Sequence, residues 1–203
     1  MIAIIDYGVG NLRSVEKALQ YIGMDAEIIS DPERVHCASA VILPGVGAYS
    51  AGMENLRRYG MVDVVKEAVL SNKPFLGICL GMQLLFEYSQ EGGERVEGLG
   101  LLPGAIKALP KDEGIKVPHI GWNSLKTYDN LLFGGLPEDP YVYFVHSYYL
   151  DAGERSIVAA QCDYGITFDA AVGRGKVYAT QFHPEKSGEI GLKILKNWST
   201  LIK

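Results

Sequence analysis

Apolar residues follow two rhythms along the first half of this chain. Ile2-Ala3-Ile4-Ile5 is an unbroken apolar run before a glycine loop, and it predicts a buried strand. Leu12, Val15, Leu19 and Ile22 then recur at helical spacing, with Asn11 placed to cap that helix and Gly23 to end it. Ala26 to Ile29 and Ala40 to Leu43 predict two further strands, the second closed by Pro44-Gly45-Val46-Gly47. Two helical segments fill Ser50 to Leu70, Phe75 to Ile78 reads as a fourth strand, and Leu80 to Tyr88 reads as helix. Apolar strands alternating with helices imply a parallel sheet with helices on both faces.

The second half has a different texture. Glycine, proline and β-branched residues dominate from Gly92 to Lys176. Tyr141 to Leu150, Ser156 to Cys162 and Lys176 to Phe182 predict strands, and turns such as Gly173-Arg174-Gly175 imply antiparallel pairing among them. A last helix is expected from about Glu189 to Leu201, with Ile190, Ile194, Leu195 and Trp198 on its apolar face. With no repeat, low-complexity tract or linker, the expectation is one α/β domain over residues 1–203. Its central sheet is mostly parallel, with a smaller antiparallel portion.

Composition narrows the function. With 203 residues, 48% of them hydrophobic, the chain has enough apolar material for a substantial core. Acidic residues outnumber basic ones 24 to 19, which disfavours a general nucleic-acid binder. The N-terminus lacks the basic segment of a signal peptide, and no apolar run reaches membrane-spanning length, so a cytoplasmic location is expected. Cys37, Cys79 and Cys162 are odd in number and show no close pair spacing, so neither a disulfide framework nor a metal site is expected. Gly8-Val9-Gly10-Asn11 falls short of a dinucleotide fingerprint, because Arg13 stands where the third glycine belongs. No cofactor is expected.

One cysteine stands apart. Gly77-Ile78-Cys79-Leu80-Gly81 has the G-x-C-x-G form of a nucleophile elbow, where a strand gives way to a helix. Flanking glycines remove side chains that would clash in so tight a turn. A thiolate at a helix start is favoured by free N–H groups and the helix dipole, and the Leu80 N–H is placed to donate to an oxyanion. The bland alternative is a small buried residue between structural glycines, and it is the reading for Cys37 and Cys162.

A cysteine nucleophile needs a base, and the base needs an orienting group. In Gln181-Phe182-His183-Pro184-Glu185, residues two apart share a face of a strand, so His183 and Glu185 project together. His36 and His119 read as surface or core residues. His146 either lines a pocket or packs structurally. The Pro44–Gly47 loop, at the same sheet edge, offers a second oxyanion donor and enough glycine for a peptide flip.

PGVGAY at 44–49, GICLGMQ at 77–83 and QFHPEKS at 181–187 together resemble the class I, triad-type glutamine amidotransferases, and the likeness covers most of the chain. The resemblance implies a flavodoxin-like fold and a triad of Cys79, His183 and Glu185. It implies an oxyanion hole from Leu80 with Val46 or Gly47, and glutamine held by Gly45, Gly47, Gln83, Ser147 and Tyr148. DYGVGNLRSV, VPHIGWN at 117–123 and YFVHSYY at 143–149 are similar to one branch of the family. There, ammonia passes to a separate barrel-fold cyclase subunit that makes imidazole glycerol phosphate in histidine biosynthesis. That likeness implies a heterodimer, with Gly10, Asn11, Trp122, Tyr141 and Tyr143 facing the cyclase. The competing expectations are a glutaminase subunit of another class I amidotransferase, a stand-alone cysteine hydrolase, and a regulatory subunit with an idle cysteine.

Overall fold

The structure is a computed structural model and describes residues 1–111 and 114–202. Its first half alternates strand and helix: β1 (Ile2–Ile5), α1 (Leu12–Tyr21), β2 (Ala26–Ile29), α2 (Pro32–His36), β3 (Ala40–Gly45), α3 (Tyr49–Arg58), α4 (Met61–Leu70), β4 (Phe75–Cys79) and α5 (Leu80–Gln83). Short strands follow: β5 (Tyr88–Ser89), β6 (Val96–Glu97), β7 (Gly104–Ala108), β8 (His119–Ser124) and β9 (Lys126–Thr127). The rest comprises β10 (Tyr141–His146), β11 (Tyr148–Ala152), β12 (Val158–Asp163), β13 (Thr167–Arg174), β14 (Val177–Thr180) and α6 (Gly188–Ser199).

Strand order explains the composition of the early strands. β2, β1, β3, β4 and β14 lie side by side and parallel. β13, β11 and β7 continue the sheet in antiparallel fashion. Every residue of β1 is buried because both faces are covered. Ala3, Ile5, Val41 and Leu43 meet Met53 and Val65 of α3 and α4 on one face. Ile2, Ile4, Ile42 and Leu76 meet Val15 and Leu19 of α1, and Ile194 and Trp198 of α6, on the other. Continuous apolar strands are the signature of that double cover. The α/β expectation, parallel in the first half with an antiparallel extension, is met. Among the described residues no helix is long and apolar enough to cross a membrane.

Several local expectations are corrected. The helix expected from Leu80 to Tyr88 stops at Gln83. Leu84, Leu85 and Phe86 are all fully buried, which a helix with one apolar face cannot arrange. Their carbonyls instead accept from the N–H groups of Leu99, Gly100, Leu101 and Leu102. The single strand expected from Tyr141 to Leu150 breaks at Ser147, because its two halves join different sheets: β10 pairs with β8 in a separate ribbon, and β11 pairs with β7. Gly173 and Arg174 lie within β13, and the turn is Gly175-Lys176. Asn11 does stand at the start of α1, but its side chain accepts from the Ser14 hydroxyl at 2.9 Å and caps no backbone N–H.

Candidate active site

β3, β4 and β14 end together, and their ends build the site. Gly45 is in register with Cys79 across β3 and β4, and Ile78 with Thr180 across β4 and β14. The Pro44–Gly47 loop and the histidine segment leave the sheet on either side of Cys79. Ligands bind at this carboxyl edge of parallel sheets.

Cys79 has φ +54° and ψ −111°. A side chain in that region costs about 1–3 kcal/mol and persists only where its surroundings enforce it. Gly81 is part of the enforcement: a Cβ there would overlap the Leu43 carbonyl oxygen, so glycine alone lets the elbow press onto β3. Gly45 plays the same part, since a Cβ would overlap the Tyr7 hydroxyl beneath it. The helix after Cys79 has only four residues, so its dipole gives the sulfur less than the sequence implied. What the elbow supplies is the first N–H groups of that short helix, which have no intrahelical partner.

His183 and Glu185 come together by a route other than the expected strand. His183 ends an extended segment, and Pro184–Lys186 is a turn of 3-10 helix. Proline's fixed φ suits the start of such a turn. The turn brings Glu185 Oε1 to 2.8 Å from His183 Nδ1, with both side chains almost wholly buried. Burial by itself would lower the His183 pKa. Contact with the Cys79 sulfur and the Glu185 carboxylate outweighs it and raises the value to about 10. Nε2, the ring's other nitrogen, is buried without a well-formed hydrogen bond. Hydrogen bonds between a base and its nucleophile commonly tighten only when substrate arrives.

The sulfur faces a cavity of about 460 Å³ whose lining includes Val46, Gly47, Leu80, Gln83, Ser147 and Tyr148. Thus the expected oxyanion and substrate residues meet at one place, save Gly45, which lies beneath the lining. Gly47 has φ +97°, a conformation that favours glycine. The Gly10 backbone packs near the Pro44 ring, which links the loop after β1 to the Pro44–Gly47 loop. Trp122 and Tyr141 are more than half exposed on the β8–β10 ribbon, and Tyr143 packs edge-on beneath Trp122 at 6.0 Å.

Three participants escaped the sequence reading. Gln181 Nε2 lies 3.7 Å from the sulfur, and Gln181 Oε1 accepts from Gln83 at 2.9 Å. It stands inside the histidine motif, two residues before His183, where spacing alone marks it. Glu91 also lines the cavity, while its carboxylate accepts from the Tyr49 N–H at 2.5 Å. No pattern marks it in its polar, glycine-rich surroundings. His119, read as unremarkable, is buried against His146, and His146 lines the cavity. The other two cysteines lie elsewhere: Cys37 is exposed, and burial pushes the Cys162 thiol up to about 12. Among the described residues no cluster of His, Cys, Asp and Glu is placed to hold a metal.

The family model for glutamine amidotransferase class-I matches residues 3–200. The chain belongs to the class I glutamine amidotransferase family. Within that family it is similar to the imidazole glycerol phosphate synthase subunit HisH of Caldanaerobacter subterraneus, at 52% identity over 100% of this chain and 99% of the relative. The HisH subunit of Moorella thermoacetica is 49% identical over 100% of this chain and 95% of its own. A crystal structure of a glutamine amidotransferase superposes with a TM-score of 0.77 at 21% identity, covering 100% of this chain and 99% of that one. That likeness speaks to the fold.

Proposed function

We propose that this chain is the glutaminase subunit of an imidazole glycerol phosphate synthase, acting in histidine biosynthesis. The observation that carries the chemistry is the buried 2.8 Å His183–Glu185 pair beside a cysteine held at φ +54°. Identity of 52% and 49% with HisH relatives over the whole of this chain supports the choice of branch. A cavity bearing one carboxylate, Glu91, and one ammonium, Lys186, also suits a zwitterionic amino acid.

In this reading the Cys79 sulfur attacks the δ-carbonyl carbon of glutamine, and the carbonyl π pair moves to oxygen. The Leu80 N–H and a donor from the Val46–Gly47 loop face that oxyanion. As it collapses, the C–N bond breaks, and His183 gives its proton to the departing nitrogen. Ammonia leaves and a glutamyl thioester remains. His183 then takes a proton from water, the resulting hydroxyl attacks the thioester, and glutamate and the thiolate are released. Glu185 keeps the ring oriented and offsets its charge.

Free ammonia in neutral water is mostly protonated and no longer nucleophilic, so the product is worth most if it passes directly to a cyclase subunit. The exposed aromatic residues Trp122 and Tyr141, with Tyr143, and the loop of Gly10 and Asn11 are the surface we assign to that partner. The test is glutamate release from glutamine, with and without the cyclase and its ligand. Stimulated release, with a glutamine-analogue electrophile labelling Cys79 and sparing Cys37 and Cys162, is the expected result. Equal labelling of all three thiols, or none, would refute the catalytic reading.

A further inference from the structure

His119 and His146 face each other across the β8–β10 ribbon. Both rings are buried. His119 is clamped between Tyr164, with centroids 3.8 Å apart, and Phe144, at 4.8 Å, both nearly parallel to it. Its Nδ1 lies 3.0 Å from His146 Nε2, and His146 Nδ1 lies 2.9 Å from the Tyr148 carbonyl oxygen.

For two neutral rings these contacts fix both tautomers. A carbonyl only accepts, so His146 Nδ1 carries the hydrogen and His146 Nε2 keeps a lone pair. His119 Nδ1 must then be the donor to that lone pair. The Tyr148 oxygen also accepts from Gln83 Nε2 at 3.1 Å, and Gln83 Nε2 donates its other hydrogen to Gln181 Oε1 at 2.9 Å. Gln181 in turn points Nε2 at the Cys79 sulfur, 3.7 Å away. Turning the Gln83 amide over would set its oxygen against two other oxygens. The orientation with Nε2 inward is therefore enforced, and Oε1 is the pole left to the cavity.

We propose that His146, held by His119, is a positioning residue that ties down the Tyr148 carbonyl. The Gln83 amide is thereby oriented to present an acceptor to an N–H group of the substrate, either its ammonium or its primary amide. The idea rests on the glutaminase reading above and adds to it a polar relay from the β8–β10 ribbon to the nucleophile. Among the described residues His146 makes no hydrogen bond to the Cys79 sulfur. Its effect belongs on substrate affinity more than on bond making.

The test compares His146→Phe with His146→Asn in the complex with the cyclase subunit. Asparagine Nδ2 stands where histidine Nδ1 was, so it restores the bond to Tyr148, whereas phenylalanine keeps only the bulk. Losing one such bond raises KM for glutamine about tenfold in His146→Phe, with a smaller change in kcat, and His146→Asn stays within about threefold of the parent. Alkylation of Cys79 by iodoacetamide reports whether the elbow survives, and its rate stays near the parent's in both variants. His119→Phe, which preserves the stack and deletes only the donor, raises KM by about threefold. Glutaramate lacks the ammonium but keeps the amide: an undiminished penalty assigns the contact to the amide, and a vanished penalty assigns it to the ammonium. A His146→Phe variant with normal alkylation and an unchanged KM overturns the proposal, as does an asparagine variant no better than the phenylalanine one. If alkylating Cys79 in the parent leaves glutamine hydrolysis intact, the glutaminase reading itself has failed.

Discussion

Two histidine centres flank the Cys79 site, and their imidazoles are driven in opposite directions. At the β14 end, His183 is buried yet its pKa is raised to about 10. At the ribbon end, burial lowers His119 to about 4 and His146 to about 3. The cost of burying a charged ring acts on all three. What separates them is a partner charge: His183 has the Glu185 carboxylate at 2.8 Å and the Cys79 sulfur beside it. His119 is packed by the rings of Phe144, Tyr164, Phe168 and His146, and His146 has a neutral carbonyl. Beside His183⁺, a second charged ring would also be repelled, and His183 is among the groups that lower His146. One corner is thus built to hold a proton in reserve, and the other to hold hydrogen-bond direction without charge.

The sharpest way to break this contrast is to remove the chemistry from the charged corner. Cys79→Ala is expected to abolish glutamine-dependent synthesis by the complex while ammonia-supported synthesis continues. Loss of both would mean a fault in assembly rather than in the nucleophile. His183→Ala should mimic it, lowering kcat for glutamine hydrolysis by about 10²–10⁴, the usual weight of a positioned acid and base. Parent-like activity would exclude this ring as the base. Glu185→Gln keeps shape and hydrogen bonding but deletes the charge, so a fall of about 10- to 100-fold is expected. A loss as deep as that of His183→Ala would show that the carboxylate does more than orient.

The two corners were also unequally legible in the sequence. Cys79, His183 and Glu185 sit in compact motifs, and the parallel strands that carry them are apolar at nearly every position, so local pattern specified them. Strand alternation is nonetheless not what pairs His183 with Glu185: Pro184 starts a 3-10 turn that brings them together. His119 and His146 are 27 residues apart and meet only through ribbon register. That pairing is a long-range fact, and nothing local to either residue announces it. The helix expected after the elbow failed for a related reason. Tertiary bonds to the Leu84 and Leu85 carbonyls displaced the intrahelical ones. Gln181 was legible in principle but was overshadowed by the histidine beside it.

The smallest effect, on stability rather than rate, tests the contrast most directly. A group whose pKa is raised by folding stabilises fully below its unfolded value, near 6.5, and loses that contribution as pH climbs through its folded value. His183 should therefore give the parent an advantage over His183→Gln that is largest below about pH 6.5 and fades towards pH 10. For His119 and His146 the sign reverses: the unfolded chain takes up protons that the folded one refuses, so stability falls as pH drops below about 6.5. His119→Phe keeps the aromatic stack and removes one of those protons from the balance. Between pH 7 and pH 5 its melting temperature should fall less than the parent's, by roughly 4 °C. Parallel melting curves for parent and His119→Phe across that range would show that the ring accepts a proton in the folded state. The neutral relay would then lose its physical basis, even with the His183 corner intact.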